Sequence, residues 1–321
     1  MLMYERPILL NTLIHRNSIQ GDIITVIAFS HHKGGTGKTT SCLNIAGFLV
    51  QAGKKVLVID CDPQANATVG LGFSPKTLGK NIYDVFLSGF EDFPKTGLFE
   101  IIQTTPSGID LAPSSLDLVG ADPFLYRMEH RAEILKNAIA TVKDRYDFIL
   151  VDTPPSLGQL VINGLFAADH VIVTLDSGTF ALEGVSTLST IFGDMKEDLG
   201  REIIPDMAVV TRWGEQGNPE KPGAEQPDEK DIFSRLRDLF YKKPEPTPEE
   251  IRAREEQETE HERLLSIRAE VKRLFRTVYI VPYSPQIYEA QKRGLPISQY
   301  APESAAGSVY KNITEEVMRW S

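Results

Sequence analysis

The chain has 321 residues, a net charge of −10 and 41% hydrophobic residues. This length can bury a large core, and the composition is that of a soluble globular protein, either one large domain or a domain that carries an insertion. The negative charge excludes a protein coated in positive charge, so any contact with nucleic acid needs a local basic patch. No apolar stretch of about 18 residues and no charged-then-apolar leader is evident, so we expect neither a membrane span nor a secretory signal.

Strands and helices are predicted to alternate along the chain after a short N-terminal extension at residues 1–22. Apolar or β-branched runs of strand length occur at 23–30, 56–60, 148–152, 170–175, 203–210 and 277–281. Apolar residues at helical spacing occur near 38–52, 130–144, 156–168, 180–198, 285–293 and 303–319. This alternation predicts an α/β fold, in which helices flank both faces of a mostly parallel sheet. Ligands of such sheets bind at the carboxyl ends of the strands.

Residues 214–270 interrupt the alternation, so the main domain, residues 23–321, is predicted to carry a charged helical insertion. The insertion starts as a loop rich in Gly, Pro, Glu and Gln, and the later run Thr247-Pro-Glu-Glu250 has the pattern of a helix start. It holds sixteen acidic and ten basic residues, and so contributes −6 to the net charge. Two interpretations stay open, a solvated helical hairpin or an arm that docks a partner or a second subunit.

Both cysteines, Cys42 and Cys61, fall in predicted core elements, and we expect them to be reduced and buried. The sequence has no C-x-x-C pair, so cysteine builds neither an iron–sulfur site nor a zinc site. The chemistry of the chain is therefore expected from its glycines, lysines and carboxylates.

The turn between the first predicted strand and the first predicted helix reads Lys-Gly-Gly-Thr-Gly-Lys-Thr-Thr at residues 33–40. It fits the phosphate-binding loop pattern G-x-x-x-x-G-K-S/T, except that His32 replaces the first glycine, and it fits the deviant form K-G-G-x-G-K-S/T. Backbone N–H groups of such a loop point at phosphate, and the helix N-terminus adds about half a positive charge. Lys38 is expected to contact the β- and γ-phosphates, and the Thr39 hydroxyl to bind Mg²⁺. The residues predicted to hold the phosphates are Gly34, Gly35, Thr36, Gly37, Lys38, Thr39 and Thr40.

Three aspartates stand at the ends of predicted strands. Asp152 ends an apolar strand, the Walker B arrangement in which the carboxylate holds Mg²⁺ indirectly or orients its waters. Asp60 and Asp62 end the strand before it, and their spacing of two places both on one side of an extended chain, near the metal and the attacking water. Alternatively, Asp62-Pro63 is only a turn. The predicted metal site is therefore Thr39, Asp60 and Asp152, and the absence of an Asn-Lys-x-Asp signature favours adenine over guanine.

Five motifs together resemble the ParA/MinD family of deviant-Walker P-loop ATPases, and within it the ParA/Soj partition proteins. They are Lys33–Thr40, Val58–Thr68, Leu111–Leu118, Tyr146–Leu157 and Ala181–Gly184. The resemblance runs from about Ile23 to Met318, interrupted by the insertion. The second motif contains an Asp-Pro-Gln-x-Asn-Ala run and the last reads Ala-Leu-Glu-Gly, and both are similar to ParA rather than MinD.

The resemblance implies an ATPase that uses ATP and Mg²⁺ and forms a homodimer, in which two subunits enclose two ATP molecules. Lys33 would reach the partner's nucleotide as an arginine finger does, and Asp62 would orient the hydrolytic water beside Lys38. Adenine contacts would come from Thr211-Arg212 and Pro282-Tyr283. ATP-bound dimers would bind DNA without sequence preference, position a chromosome, plasmid or other cargo, and be released when a partner protein stimulates hydrolysis. Such a protein works in the cytoplasm, on the nucleoid.

The basic residues near the end of the chain are few. Relatives carry arginines after the last strand that help to bind DNA, whereas this chain has Tyr283 and Gln286 there. Lys292, Arg293 and Lys311 follow, either as a DNA-binding patch doubled in a dimer or as solvated surface cations.

Two other functions stay open. A MinD-like membrane-positioning ATPase requires a C-terminal amphipathic helix with a basic face. The predicted last helix instead carries Glu315 and Glu316, and its apolar positions indicate packing on the core. A carrier or maturation ATPase would use the insertion at 214–270 to bind its client.

Overall fold

The computed structural model describes residues 24–156, 158–176, 192–193, 195–197, 199–213, 271 and 275–321. The extension predicted at 1–22, most of the helix predicted at 180–198 with its Ala-Leu-Glu-Gly motif, and the insertion at 214–270 lie outside these residues and stay predictions. Within the described ranges, no helix has both the length and the apolar character that a membrane span requires.

One sheet runs through the centre of the described part of the chain. Its strands are β1 Thr25–Ser30, β2 Val56–Asp60, β3 Gln103–Thr104, β4 Asp110–Ala112, β5 Phe148–Asp152, β6 His170–Asp176, β7 Met207–Trp213 and β8 Thr277–Pro282. Their order across the sheet is β3-β4-β2-β5-β1-β6-β7-β8. Every neighbouring pair of described strands is parallel except β3 and β4. The predicted α/β fold with a mostly parallel sheet is confirmed.

Alternate residues of each central strand enter opposite halves of the core. In β1, Val26 and Ala28 lie in one buried cluster, whereas Ile27 and Phe29 lie in the other. Successive strand side chains point to opposite faces, so a strand covered on both faces must be apolar throughout. Burying one large aliphatic or aromatic side chain stabilises the fold by about 1.5–3 kcal/mol, which favours this arrangement at every position.

Helices cover both faces of the sheet. They are α1 Lys38–Gln51, α2 Asn66–Gly70, α3 Ile82–Phe86, α4 Leu98–Ile101, α5 Asp122–Leu125, α6 Ile134–Ala140, α7 Gln159–Ala167, α8 Pro285–Lys292, α9 Ile297–Tyr300 and α10 Ala305–Val317. The long helices α1 and α10 pack on the face that holds Ile27 and Phe29, and α6 and α7 pack on the opposite face. Cys42 and Cys61 are buried and unpaired, as predicted.

Several element boundaries differ from the prediction. The helix predicted at 130–144 is shorter in the structure, where α6 spans Ile134–Ala140. At the predicted start, His130 has a φ of 54°, a left-handed conformation that an α-helix excludes. The strand predicted at 203–210 starts only at Met207, and the preceding Asp206 uses its carboxylate to accept the Val171 N–H at 2.9 Å. Neither β3 nor β4 was predicted, because two and three residues are too few to show a period.

Candidate functional site

The loop at 33–40 connects the carboxyl end of β1 to the start of α1. Gly35 and Gly37 have φ values of 79° and 87°, which side chains rarely adopt, and Gly37 directly precedes the first helical residue, Lys38. A Cβ at Gly37 would also stand 2.8 Å from the Thr211 Cγ2 atom. Glycine is therefore required at this point for both the turn and the close approach of β7.

A cavity of about 890 Å³ opens above this loop at the carboxyl edge of the sheet. The cavity is lined by the loop, by the segment after β2 and by the carboxyl ends of β7 and β8, which are far apart in sequence. All four residues predicted to contact adenine, Thr211, Arg212, Pro282 and Tyr283, lie in this lining with Gly34, Gly35, Gly37, Lys38, Thr39 and Thr40. A strand-end cavity that brings glycines, a lysine and an aromatic ring together can hold a nucleoside phosphate.

Thr39 and Asp152 form the direct contact between the loop and β5. The Thr39 hydroxyl donates to Asp152 Oδ2 at 2.6 Å, while Asp152 Oδ1 is buried with no hydrogen-bond partner among the described residues. Burial raises the pKa of Asp152 well above its usual range. Mg²⁺ prefers oxygen ligands and takes few of them from protein, so this hydroxyl and the unpaired carboxylate oxygen fit it.

Lys38 is buried at the floor of the cavity. Its Nζ atom donates to the Lys33 carbonyl at 3.3 Å. Burial lowers the pKa of Lys38, while the charges of Asp152 and Asp62 oppose that shift. An ammonium held out of water near two carboxylates is a strong point of attraction for a phosphate anion.

Asp60 and Asp62 have different surroundings despite their shared spacing. Asp60 is fully buried, and its two oxygens accept hydrogen bonds from the Asp62 N–H at 3.1 Å, the Thr68 N–H at 2.8 Å and the Thr68 hydroxyl at 2.7 Å. Burial raises the pKa of Asp60 to about 7. Asp60 lies beside Asp152 in the sheet register, and its oxygens are already engaged by Asp62 and Thr68.

Asp62 instead lines the cavity. Its Oδ1 atom accepts the Gln64 N–H at 2.9 Å, which fixes the carboxylate at the edge of the turn. Burial raises the pKa of Asp62 above its usual value, and the nearby Lys38 ammonium opposes part of that rise. The turn that was the alternative interpretation of Asp62-Pro63 is therefore also what aims this carboxylate into the cavity.

Lys33 contacts its own subunit through its N–H, its carbonyl and its Nζ atom. Its N–H donates to His31 Nδ1 at 3.0 Å, and its carbonyl accepts from Lys38. Its Nζ atom lies 2.6 Å from Asp176 Oδ2, at the carboxyl end of β6. Lys38 lines the cavity, whereas Lys33 does not belong to its lining.

The sequence patterns did not indicate three residues at or near this site, which are His31, Asp176 and Gln291. Gln291 of α8 donates from Nε2 to Thr40 Oγ1 at 3.2 Å and joins that helix to the loop. Asp176 directly follows the strand predicted at 170–175 and ends β6 in the structure, so strand-end position could have indicated it. Gln291 carried no such signal because its contact joins distant parts of the chain, and His31 carried none because its contact depends on the local backbone geometry.

We expect His31→Leu to lower the free energy of unfolding by about 1–3 kcal/mol, because it leaves the Lys33 N–H without its acceptor. His31→Asn should retain most of the stability, since an amide oxygen can replace Nδ1.

The stability should also depend on pH. Burial lowers the pKa of His31 from 6.5 to about 4, so between these two pH values the unfolded chain binds a proton more readily than the folded protein does. Wild type should therefore lose stability as pH falls through this window, and His31→Leu should lose less. Urea unfolding across pH tests both points, and equal stability of all three proteins would contradict them.

Comparisons with known proteins identify relatives of this chain. The family described as AAA domain matches residues 24–204. The sporulation initiation inhibitor protein Soj of Bacillus subtilis is 30% identical over 293 residues, which cover 91% of this chain and 97% of that protein. The chromosome-partitioning ATPase Soj of Treponema pallidum is 32% identical, with 91% and 96% covered. Among solved structures, cobyrinic acid a,c-diamide synthase of Mycobacterium smegmatis with bound ATP analog and magnesium is 25% identical, with a TM-score of 0.63 and 92% and 95% covered.

Proposed function

Because the chain belongs to the ParA/Soj group of the ParA/MinD deviant-Walker P-loop ATPases, we propose that it dimerises on ATP, binds duplex DNA without sequence preference and positions a cargo on it. The observation that carries this proposal is the unequal placement of the two loop lysines. Lys38 is buried beside Asp62 and Asp152 and lines the cavity, whereas the Lys33 side chain is 38% exposed and does not belong to the lining. This difference supports a role for Lys38 at the subunit's own nucleotide and for Lys33 at the nucleotide of a second subunit.

The protein is an ATPase with ATP and Mg²⁺ as cofactors, and its residues divide the work of phosphoryl transfer. When bound, Mg²⁺ would supply positive charge that offsets the negative charge of the phosphates. Thr39 and Asp152 would hold the ion, and the loop N–H groups would cradle the phosphates from Gly34 to Thr40. Lys38 would neutralise charge on the β- and γ-phosphates, and Asp62 would orient the attacking water. Asp60, which accepts hydrogen bonds from Thr68, would keep the end of β2 in register beside Asp152.

The adenine would lie between the ends of β7 and β8. Arg212 has a φ of 57°, in the left-handed region, and both Arg212 and the half-exposed Tyr283 line the cavity. The Thr211 hydroxyl donates to the Thr36 carbonyl at 3.0 Å, which ties this wall to the phosphate loop. An arginine and a tyrosine offer flat surfaces on which a purine can stack.

The DNA contact would use exposed cations near α8. Lys292 lies 4.3 Å from the centre of the Tyr288 ring and pairs with Glu289 at 3.4 Å, while Arg293 lies 5.0 Å from the Tyr300 ring centre. A two-fold dimer would double this set, and the affinity for phosphates rises steeply with the number of contacts. Such a dimer would work in the cytoplasm on the nucleoid, and a partner protein would stimulate its hydrolysis.

The last helix does not favour the membrane alternative. Tyr310, Ile313 and Val317 of α10 are fully buried in the core, so the apolar face of this helix is covered by the protein itself. A membrane-binding helix needs that face for lipid.

Sedimentation with ATPγS, with ADP and without nucleotide tests dimerisation, and fluorescence anisotropy with duplexes of unrelated sequence tests DNA binding. We expect a dimer and DNA binding only with ATPγS, with affinities for all duplexes that fall together as salt rises. A protein that stays monomeric with ATPγS, or a dimer that ignores DNA at low salt, would contradict the proposal.

A further inference from the structure

The Lys33–Asp176 ion pair joins two residues that lie 143 positions apart. Asp176 is fixed as the last residue of β6, where it pairs with Thr211 of β7 in the sheet register. Lys33 is fixed through its backbone by His31 and Lys38. Both ends of the 2.6 Å contact therefore start from rigid parts of the fold, and its side chains are 38% and 19% exposed. The backbone at both ends needs no further ordering, so the remaining entropic cost of the contact is that of the lysine side chain.

This contact competes with the task proposed for Lys33. An ammonium that rests against its own subunit's carboxylate is not available to the nucleotide of a second subunit. We propose that Asp176 is a positioning residue that holds Lys33 within its own subunit, so that dimerisation must exchange this carboxylate for the phosphates of the partner's nucleotide. The inference rests on the proposed function, because it needs a dimer in which Lys33 reaches across.

The exchange makes dimerisation selective for the triphosphate. A γ-phosphate offers more negative charge and more acceptor oxygens than a carboxylate, so Lys33 would bind it in preference to Asp176. When hydrolysis removes the γ-phosphate, Lys33 would again bind Asp176. A symmetric dimer exchanges two lysines, so the effect of Asp176 on the dimer dissociation constant is squared. For a partly exposed ion pair we expect about fivefold for each lysine, and therefore about 25-fold for the dimer.

The test measures the dimer dissociation constant with ATPγS for wild type, Asp176→Asn and Asp176→Glu. Asp176→Asn should tighten the dimer by about 25-fold, and Asp176→Glu, which restores the charge, should return it towards wild type. With ADP, Asp176→Asn should dimerise measurably at concentrations where wild type does not. Glu100→Gln is the matched control, since Glu100 pairs with Lys80 at 2.7 Å far from the loop in sequence and should leave the constant unchanged.

A second measurement uses the monomer without nucleotide. Acetylation of Lys33 by a small amine reagent, mapped by mass spectrometry, should be several-fold faster in Asp176→Asn and Asp176→Ser, because the carboxylate that covers the amine is gone. If Asp176→Asn folds poorly, Asp176→Ser supplies both readouts.

The outcomes separate this inference from the function on which it rests. A wild type that stays monomeric with ATPγS would overturn the proposed function and this inference with it. A wild type that dimerises while Asp176→Asn shows an unchanged or weaker dimer would overturn the inference alone, since Asp176 would then be structural or would guide Lys33 to the partner.

Discussion

Lys33→Ala is expected to lower kcat for ATP hydrolysis by about 10³-fold or more, while a single subunit still binds ATP nearly as well as wild type. The physical reason is that, under the proposed function, the two lysines of the loop would act at different stages. Lys38 lines the cavity and would bind ground state and transition state alike, whereas the charge of Lys33 would act where negative charge develops during transfer. An interaction made only in the transition state affects kcat and leaves ground-state binding almost unchanged.

The measurements are steady-state turnover and equilibrium binding of a fluorescent ATP analogue. Lys80→Ala is a suitable control, because Lys80 is an exposed lysine with its own carboxylate partner and should turn over ATP at the wild-type rate. A Lys33→Ala protein that loses ATP binding in proportion to turnover would mean that Lys33 serves its own subunit's nucleotide, and the dimer-based role would then be wrong.

The phosphate loop and its neighbours could be predicted from sequence because their signal is local. The glycines that adopt left-handed φ values, the lysine and the hydroxyl of Thr39 lie within eight residues, between a strand and a helix that each show their own period. Asp152 could be predicted because it ends an apolar strand in a chain that also carries the phosphate loop. Parallel strand ends share one edge, so these separate signals had to converge.

The parts that could not be predicted depend on backbone geometry that the pattern of residue types does not reveal. Asp60 and Asp62 share a spacing that suggests a common role, but the Thr68 hydroxyl and N–H draw Asp60 away from the cavity, and nothing in the spacing reveals this. His31 contacts the loop through a ring nitrogen whose acceptor role depends on local backbone geometry. The predicted helix start near 130 was misplaced because His130 is left-handed. The predicted strand start near 203 was misplaced, and there the Asp206 side chain accepts the Val171 N–H. Apolar periodicity indicates neither feature.

Asp62→Asn is the second change with a large expected effect, a fall in kcat of about 10²–10⁴-fold with ATP binding and dimerisation retained. The asparagine oxygen can still accept the Gln64 N–H, so the turn should fold as before. The amide lacks the negative charge that would orient and polarise a water molecule beside the phosphate. The variant should therefore accumulate as an ATP-bound dimer, measured by sedimentation with ATP itself. Rapid turnover by Asp62→Asn would show that another group orients the water.

Combining the two inactive variants tests whether Lys33 acts across the dimer. In a mixed dimer of Lys33→Ala and Asp62→Asn subunits, the nucleotide of the Lys33→Ala subunit has an intact Asp62 and receives Lys33 from its partner. The other nucleotide has neither group. Equal amounts mixed before ATP is added should therefore recover about a quarter of the wild-type rate, since half of the dimers are mixed and each has one working site. If Lys33 acted within its own subunit, each site of the mixed dimer would lack one group and the mixture would stay inactive, so the recovered rate distinguishes the two arrangements directly.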